Sequence, residues 1–199
     1  LQKQFPEKFF STPISEAGFT GMAFGASLLG MKPIVELMFA DFVTLATDQI
    51  INHAAKYHLM YNNKVNCPAI IRLPSGGGRG YGPTHSQSLE NILTGVPGLS
   101  IFAMSSLLPT LPFYNLALKL KSPIIFIEDK MDYARRVTIE SLSLNIDTDT
   151  SDNFVIFQDK NIESTEIAVI CYGAGLNLAI DTQQYLIDEL EIDISVIAV

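Results

Sequence analysis

This sequence is poor in the residues that staple or specialise a small domain. Its 199 residues include only two cysteines, Cys67 and Cys171, with no CxxC and no metal-type spacing. That argues against a structural disulfide and makes a reducing compartment the default. Histidine is scarce too, and His53 and His58 are not spaced at i, i+4 for a shared metal. Positive charge is thin: 13 Lys and Arg stand against 21 Asp and Glu, a net charge of −8. A basic face for nucleic acid is therefore excluded. No apolar run crosses a membrane, since the charge-free stretch Ala17 to Met31 falls short of the roughly 20 residues a span requires. Its interleaved Gly and Ala suit a tightly packed buried helix. No signal peptide is visible, but the first residue is leucine, so the sequence reads as a fragment.

Apolar residues, by contrast, make up 48% of the chain, enough for one large domain or two small ones. Short β-branched runs recur at Pro33 to Leu37, Ala69 to Leu73, Leu99 to Ala103 and Pro123 to Glu128. Continuous apolar runs of this kind belong to strands covered on both faces. Between them, Phe42 to Tyr61 carries a 3.6-residue rhythm, and Ser105 to Lys121 and the stretch after His85 read as further helices. Alternating strand and helix predicts an α/β fold, a mostly parallel sheet flanked by helices. Composition shifts near Lys130 to Asp, Ser, Thr and Asn, which predicts a linker or surface hairpin over 137–165. A new βαβ unit then begins, strand Ile167 to Tyr172, helix Leu176 to Leu190 and strand Ile192 to Val199. Such a unit cannot bury both faces of its sheet unless it docks on the first domain.

The chemistry concentrates at two places. Gly80-Tyr81-Gly82-Pro83-Thr84-His85-Ser86-Gln87-Ser88 sets a histidine behind a glycine-rich run. Glycines let a backbone turn sharply against a ligand, and the imidazole exchanges a proton near neutral pH. The same composition also suits a surface turn. Pro13-Ile14-Ser15-Glu16 opens the small-residue helix. Ser15 is a candidate N-cap, and Glu16 would lie in the first turn, where a helix dipole favours a carboxylate. Because the helix that follows is so apolar, its start should be partly desolvated, a setting in which a carboxyl holds or passes a proton. Glu36 sits inside an apolar run and needs a partner. Tyr172-Gly173-Ala174-Gly175-Leu176-Asn177-Leu178 matches the first two glycines of a dinucleotide fingerprint but carries Leu178 at the third. The glycine run at 76–82 lacks the Gly-Lys-Ser/Thr of a P-loop.

Taken in order, Pro13 to Phe19, Pro33 to Phe42, Asp48-Gln49-Ile50 and His85 to Ser88 resemble the beta subunit of thiamine-diphosphate-dependent 2-oxo acid dehydrogenases, pyruvate or branched-chain type. The beta part of an alpha–beta fusion of that enzyme is equally similar. The resemblance runs in register over about residues 10–136 and weakly through 166–199. It implies a pyrimidine-binding domain over 1–136, lacking its usual beginning, a linker over 137–165, and the start of a smaller α/β C-terminal domain over 166–199. It also implies thiamine diphosphate and Mg2+ as cofactors. Glu16 would hydrogen-bond a ring nitrogen of the aminopyrimidine and favour its imino tautomer. Ile14, Met38 and Phe42 would lie against that ring, although branched-chain relatives are expected to have a tyrosine and a glutamine where Phe42 and Met38 stand. His85 would face the 2-oxo acid substrate or the incoming lipoyl group as a proton donor.

The superfamily's Gly-Asp-Gly followed by Asn, which holds the magnesium diphosphate, is missing from the sequence. The resemblance therefore implies an alpha subunit or alpha portion as partner, beside a second beta copy and the lipoyl acyltransferase core. The chain is expected to be shorter than the family's beta part at both ends and inactive alone. Bacterial cytoplasm and mitochondrial matrix both suit it. Two other readings stand beside this one. A transketolase-type enzyme shares the acid but not His-Ser-Gln-Ser, and a non-catalytic assembly piece would explain Met38 and Phe42.

Overall fold

The four apolar runs form one parallel sheet. The computed structural model describes residues 2–135, 145–147, 154–158 and 164–199. Strands β1 (Ile34–Glu36), β2 (Ile70–Ser75), β3 (Ser100–Ala103) and β4 (Ile124–Asp129) lie in the order β1-β2-β4-β3. Their register sets Ile34 beside Ile70, and Ile124 between Ile70 and Ser100. The two central strands are the most apolar because both of their faces are covered.

Helix α1 (Glu16–Leu28) covers one face. It buries Thr20, Ala23, Phe24 and Ser27, a single helical stripe. Phe24 joins Val35, Leu37, Ile71, Leu73 and Ile125 in the largest core cluster. Val43 of α2 (Val43–Asp48) and Ile50 of the π-helical turn Gln49–Ala54 complete that cluster. The opposite face packs Ile70, Ile124 and Phe126 against Ala117 of helix α4 (Thr110–Ala117), with Phe102, Phe113 and Tyr114 alongside.

Three helices expected from the sequence take a different form. The segment from Phe42 to Tyr61 is helical but broken, running from a 3₁₀ turn at Ala40–Phe42 through α2 and the π turn to α3 (Tyr57–Met60). The apolar rhythm reports which side is buried and is blind to a residue added within one turn. Helix α4 spans only part of Ser105 to Lys121, because Pro109 stands before its first residue and ends any helix entering from upstream. After His85 there are short 3₁₀ turns at Pro83–His85 and Glu90–Ile92 instead of a helix. Between them Gln87 donates from its backbone and side-chain nitrogens to Asp41 Oδ1, at 3.3 and 2.8 Å. That long-range bond satisfies groups that a helix would otherwise have used.

The stretch 137–165, expected as a linker or surface hairpin, supplies two strands to a second sheet. These are β5 (Asn145–Asp147) and β6 (Val155–Gln158), paired antiparallel. The predicted βαβ unit is present as β7 (Ile167–Cys171), α5 (Gly175–Leu190) and β8 (Ile194–Ala198). The sheet order is β5-β6-β8-β7.

This second unit docks on the carboxyl ends of β3 and β4. Leu107 belongs to the core formed by Phe157, Leu176, Ile180, Ile194 and Val196. Asn177 Nδ2 donates to Asp132 Oδ1 and Oδ2 at 3.0 and 3.2 Å, and Ser106 N donates to Asp132 Oδ2 at 3.0 Å. Gly173 has φ +54°, and a Cβ there would stand 3.3 Å from Ala103 Cβ. The glycine that resembled a nucleotide fingerprint lets the two units approach closely.

Candidate active site

Adjacent parallel strands deliver the site residues from their carboxyl ends, the usual place for function in such sheets. The chain leaving β1 carries Met38, Phe39, Asp41 and Phe42. The chain leaving its neighbour β2 carries the glycine-rich loop and His85. Gly76, Gly78, Gly80 and Gly82 all have positive φ, between +75° and +89°, so the loop folds back on itself where a side chain at these positions would be strained. It ends in the 3₁₀ turn Pro83–His85, which brings the imidazole over the β1 side of the sheet.

His85 is half-buried and edge-on to two rings, with centroids 4.9 Å from Phe39 and 5.3 Å from Phe42. Its Nδ1 lies 3.0 Å from Thr84 Oγ1. With Nδ1 engaged, Nε2 is the nitrogen left for a reacting group. Phe39 is the hub of the cluster. Tyr81 meets it at 5.8 Å, and the Arg79 guanidinium carbon and Lys130 Nζ lie 5.3 and 3.6 Å from its centroid. Lys130 also donates to the Met38 carbonyl at 2.8 Å. Burial, followed by the nearby Arg79 charge, lowers the Lys130 ammonium pKa from its ordinary value.

Phe42 and His85, both singled out from the sequence, are therefore in contact, and Met38 is tied to the same cluster through its backbone. Met38 presents a side chain that is 62% exposed. Glu16 and Ile14 stand apart at the entry to α1. Among the described residues, no hydrogen bond, ion pair or ring contact joins them to the cluster around Phe39. Glu16 is half-buried and is the first residue of α1, while Ile14 is 87% exposed. Ser15 holds the N-cap position without a side-chain capping bond. The Glu16 carboxylate has no protein partner among the described residues and remains an acceptor for a donor from outside the chain. An unpaired carboxylate beside exposed apolar side chains fits a flat heteroaromatic ring that carries N–H donors.

Glu36 has the partner its position demands. Arg72 Nη1 donates to it, while Arg72 Nε and Nη2 reach Glu128 Oε1 and Oε2 at 2.9 and 2.6 Å. Tyr133 adds its hydroxyl to Glu128. Glu36 is exposed on the edge strand, so this group is a cross-strand brace and not a buried acid. Sequence reasoning missed Asp41, Arg79 and Lys130. Asp41 alone had a usable signal, a carboxylate inside an apolar run. No cluster of three or more His, Cys, Asp or Glu side chains able to hold a metal occurs among the described residues. No helix there is long and apolar enough to cross a membrane.

A parallel α/β domain that presents an unpaired helix-entry carboxylate and an aromatic-held histidine is the class the geometry defines. Residues 1–136 match the transketolase pyrimidine-binding domain, and the chain belongs to that family. It is similar to the pyruvate dehydrogenase E1 component subunit beta-1 of Arabidopsis thaliana, with 33% identity over 95% of this chain and 51% of the relative. The 2-oxoisovalerate dehydrogenase subunit beta of Bacillus subtilis is 34% identical, over 94% and 55%. The acetoin:2,6-dichlorophenolindophenol oxidoreductase subunit beta of Cupriavidus necator is 31% identical, over 95% and 54%. The chain thus spans about half the length of these curated relatives. Among solved structures, a split-gene transketolase described as an inactive beta4 tetramer superposes with a TM-score of 0.69 at 19% identity, covering 98% of this chain and 57% of that one. At that identity the likeness is one of fold.

Proposed function

We propose that this chain is the pyrimidine-binding beta part of a thiamine-diphosphate-dependent 2-oxo acid dehydrogenase. The complete enzyme would oxidatively decarboxylate a 2-oxo acid and transfer the acyl group to lipoyl. The observation that carries this reading is the unpaired Glu16 carboxylate at the start of α1, on a chain whose sequence is similar to dehydrogenase beta subunits. Bound thiamine diphosphate supplies the electron sink that decarboxylation of a 2-oxo acid requires.

Glu16 would share a proton with a ring nitrogen of the aminopyrimidine, a hydrogen bond that favours the ring's imino tautomer. Phe42 and the exposed Ile14 and Met38 give that ring an apolar seat and exclude water from it. His85 presents Nε2 toward the substrate or the lipoyl group, where it donates a proton and offsets developing negative charge; such groups contribute about 10²–10⁴ in rate. Mg2+ and the diphosphate belong to an alpha subunit or alpha portion, since this sequence lacks the Gly-Asp-Gly and Asn pattern. The chain alone is then inactive. A second beta copy and the acyltransferase core complete the assembly, in bacterial cytoplasm or mitochondrial matrix.

Dye-coupled decarboxylation tests this reading. The parent enzyme, assembled with its alpha portion, thiamine diphosphate and Mg2+, is offered pyruvate, a branched-chain 2-oxo acid and acetoin. Turnover of a 2-oxo acid supports the proposal, and the ratio assigns the substrate. A folded, cofactor-saturated complex that turns over only acetoin, or nothing, overturns it.

A further inference from the structure

We infer that Arg79 is the positioning residue for His85, the group that turns a glycine-rich loop into a fixed platform. The inference rests on the reading of His85 given above. A loop with four positive-φ glycines has much conformational freedom to lose, and something other than its own turns must hold it.

Arg79 does so from inside. Its Nη2 donates to the carbonyl of Gly76 at 2.6 Å and to the carbonyl of His85 at 2.9 Å. One nitrogen thus ties the first residue of the loop to the last. The guanidinium plane is held in turn by two rings, with its carbon 5.3 Å from the Phe39 centroid and 5.4 Å from that of Tyr81. Nε and Nη1 are buried with no hydrogen-bond partner, and among the described residues no carboxylate forms an ion pair with this side chain.

An arginine placed for charge pairing would meet an acid. This one meets carbonyls and aromatic faces, the chemistry of a clamp. Phe39 contacts Arg79 and His85 together, so the same ring sets the clamp and the imidazole. A lysine at this position carries the charge but has no guanidinium plane to rest on the Phe39 and Tyr81 rings, so its ammonium is not held between the two carbonyls.

The test is a double-mutant cycle in the assembled enzyme with its alpha portion, using Arg79→Lys, His85→Ala and the pair. The expected result is a kcat lowered roughly tenfold to hundredfold by Arg79→Lys, as for a catalytic group displaced by about an ångström. KM for the 2-oxo acid and the thermal midpoint should be nearly unchanged, and the double variant no worse than His85→Ala alone. Arg79→Gln, which keeps an NH2 donor, serves in the same cycle if the lysine variant does not fold. Undiminished kcat in Arg79→Lys, or losses that multiply in the double variant, overturn the inference while a crippled His85→Ala enzyme leaves the functional reading standing. Full turnover by His85→Ala overturns both.

Discussion

Asn177, in the first turn of α5, donates its side-chain amide to both carboxylate oxygens of Asp132, 45 residues earlier in the chain. Asp132 also accepts from Ser106 N, so one carboxylate joins β3's exit, β4's exit and the second sheet's helix. Removing it leaves a largely buried amide and a backbone N–H without partners. Asp132→Ala is therefore expected to cost about 1–3 kcal/mol. Asn177→Ala removes the other half of the same contact, and the double variant should be less than additive. Urea midpoints of the two single variants and the pair check this, and full additivity would show that the two residues act independently.

Glu16 has no partner to lose among the described residues, which makes its replacement informative. Glu16→Gln keeps the shape and removes the acid, so folding and assembly should be unaffected. Decarboxylation in the complete enzyme should fall by about 10²–10⁴. A variant with normal thermal stability and normal turnover would falsify the assignment of Glu16.

Tyr133 gives a pH-dependent prediction. Burial, then its hydrogen bond to Glu128, raises the phenol pKa above its ordinary value of 10.0. The folded state therefore retains a proton that the unfolded chain releases above about pH 10. The stability due to the hydroxyl is complete below pH 10 and is lost as pH climbs beyond it. Tyr133→Phe should cost about 0.5–1.5 kcal/mol at neutral pH. The gap between variant and parent should narrow above pH 10, as read from urea midpoints between pH 7 and 11. A gap that widens there contradicts the sign.

The two cysteines should differ in reactivity. Cys67 is 3% exposed, and burial raises its thiol pKa. Cys171 is half-buried and lines a cleft of about 440 Å3 between the two units, with Asp129 and Gly173 nearby. The thiolate is the reactive form, so alkylation of the native protein at pH 8 should modify Cys171 first and Cys67 only on unfolding. Peptide mapping of a short iodoacetamide pulse reads the order, and labelling of native Cys67 at the rate of an unfolded control contradicts it.

What the sequence determined by itself is the α/β architecture, a mostly parallel sheet flanked by helices. Runs such as Ala69 to Leu73 and Pro123 to Glu128 are apolar at every position because a central parallel strand is covered twice, and that constraint is local enough to read. The β1 and β2 exits carry three of the residues singled out, Met38 and Phe42 on one and His85 on the other, while Ile14 and Glu16 lie at the entry to α1. Tertiary structure decided the rest. Gln87 turns toward Asp41 instead of continuing a helix, which no local propensity encodes. Arg79 finds its carbonyls only after the loop has closed, and Lys130 reaches Met38 across 92 residues. Gly173, which looked like half of a nucleotide motif, packs so close to Ala103 that a Cβ there would stand 3.3 Å from the alanine methyl. In each case the deciding partner is distant in sequence, and its energy exists only once the sheet has brought the two strand ends together.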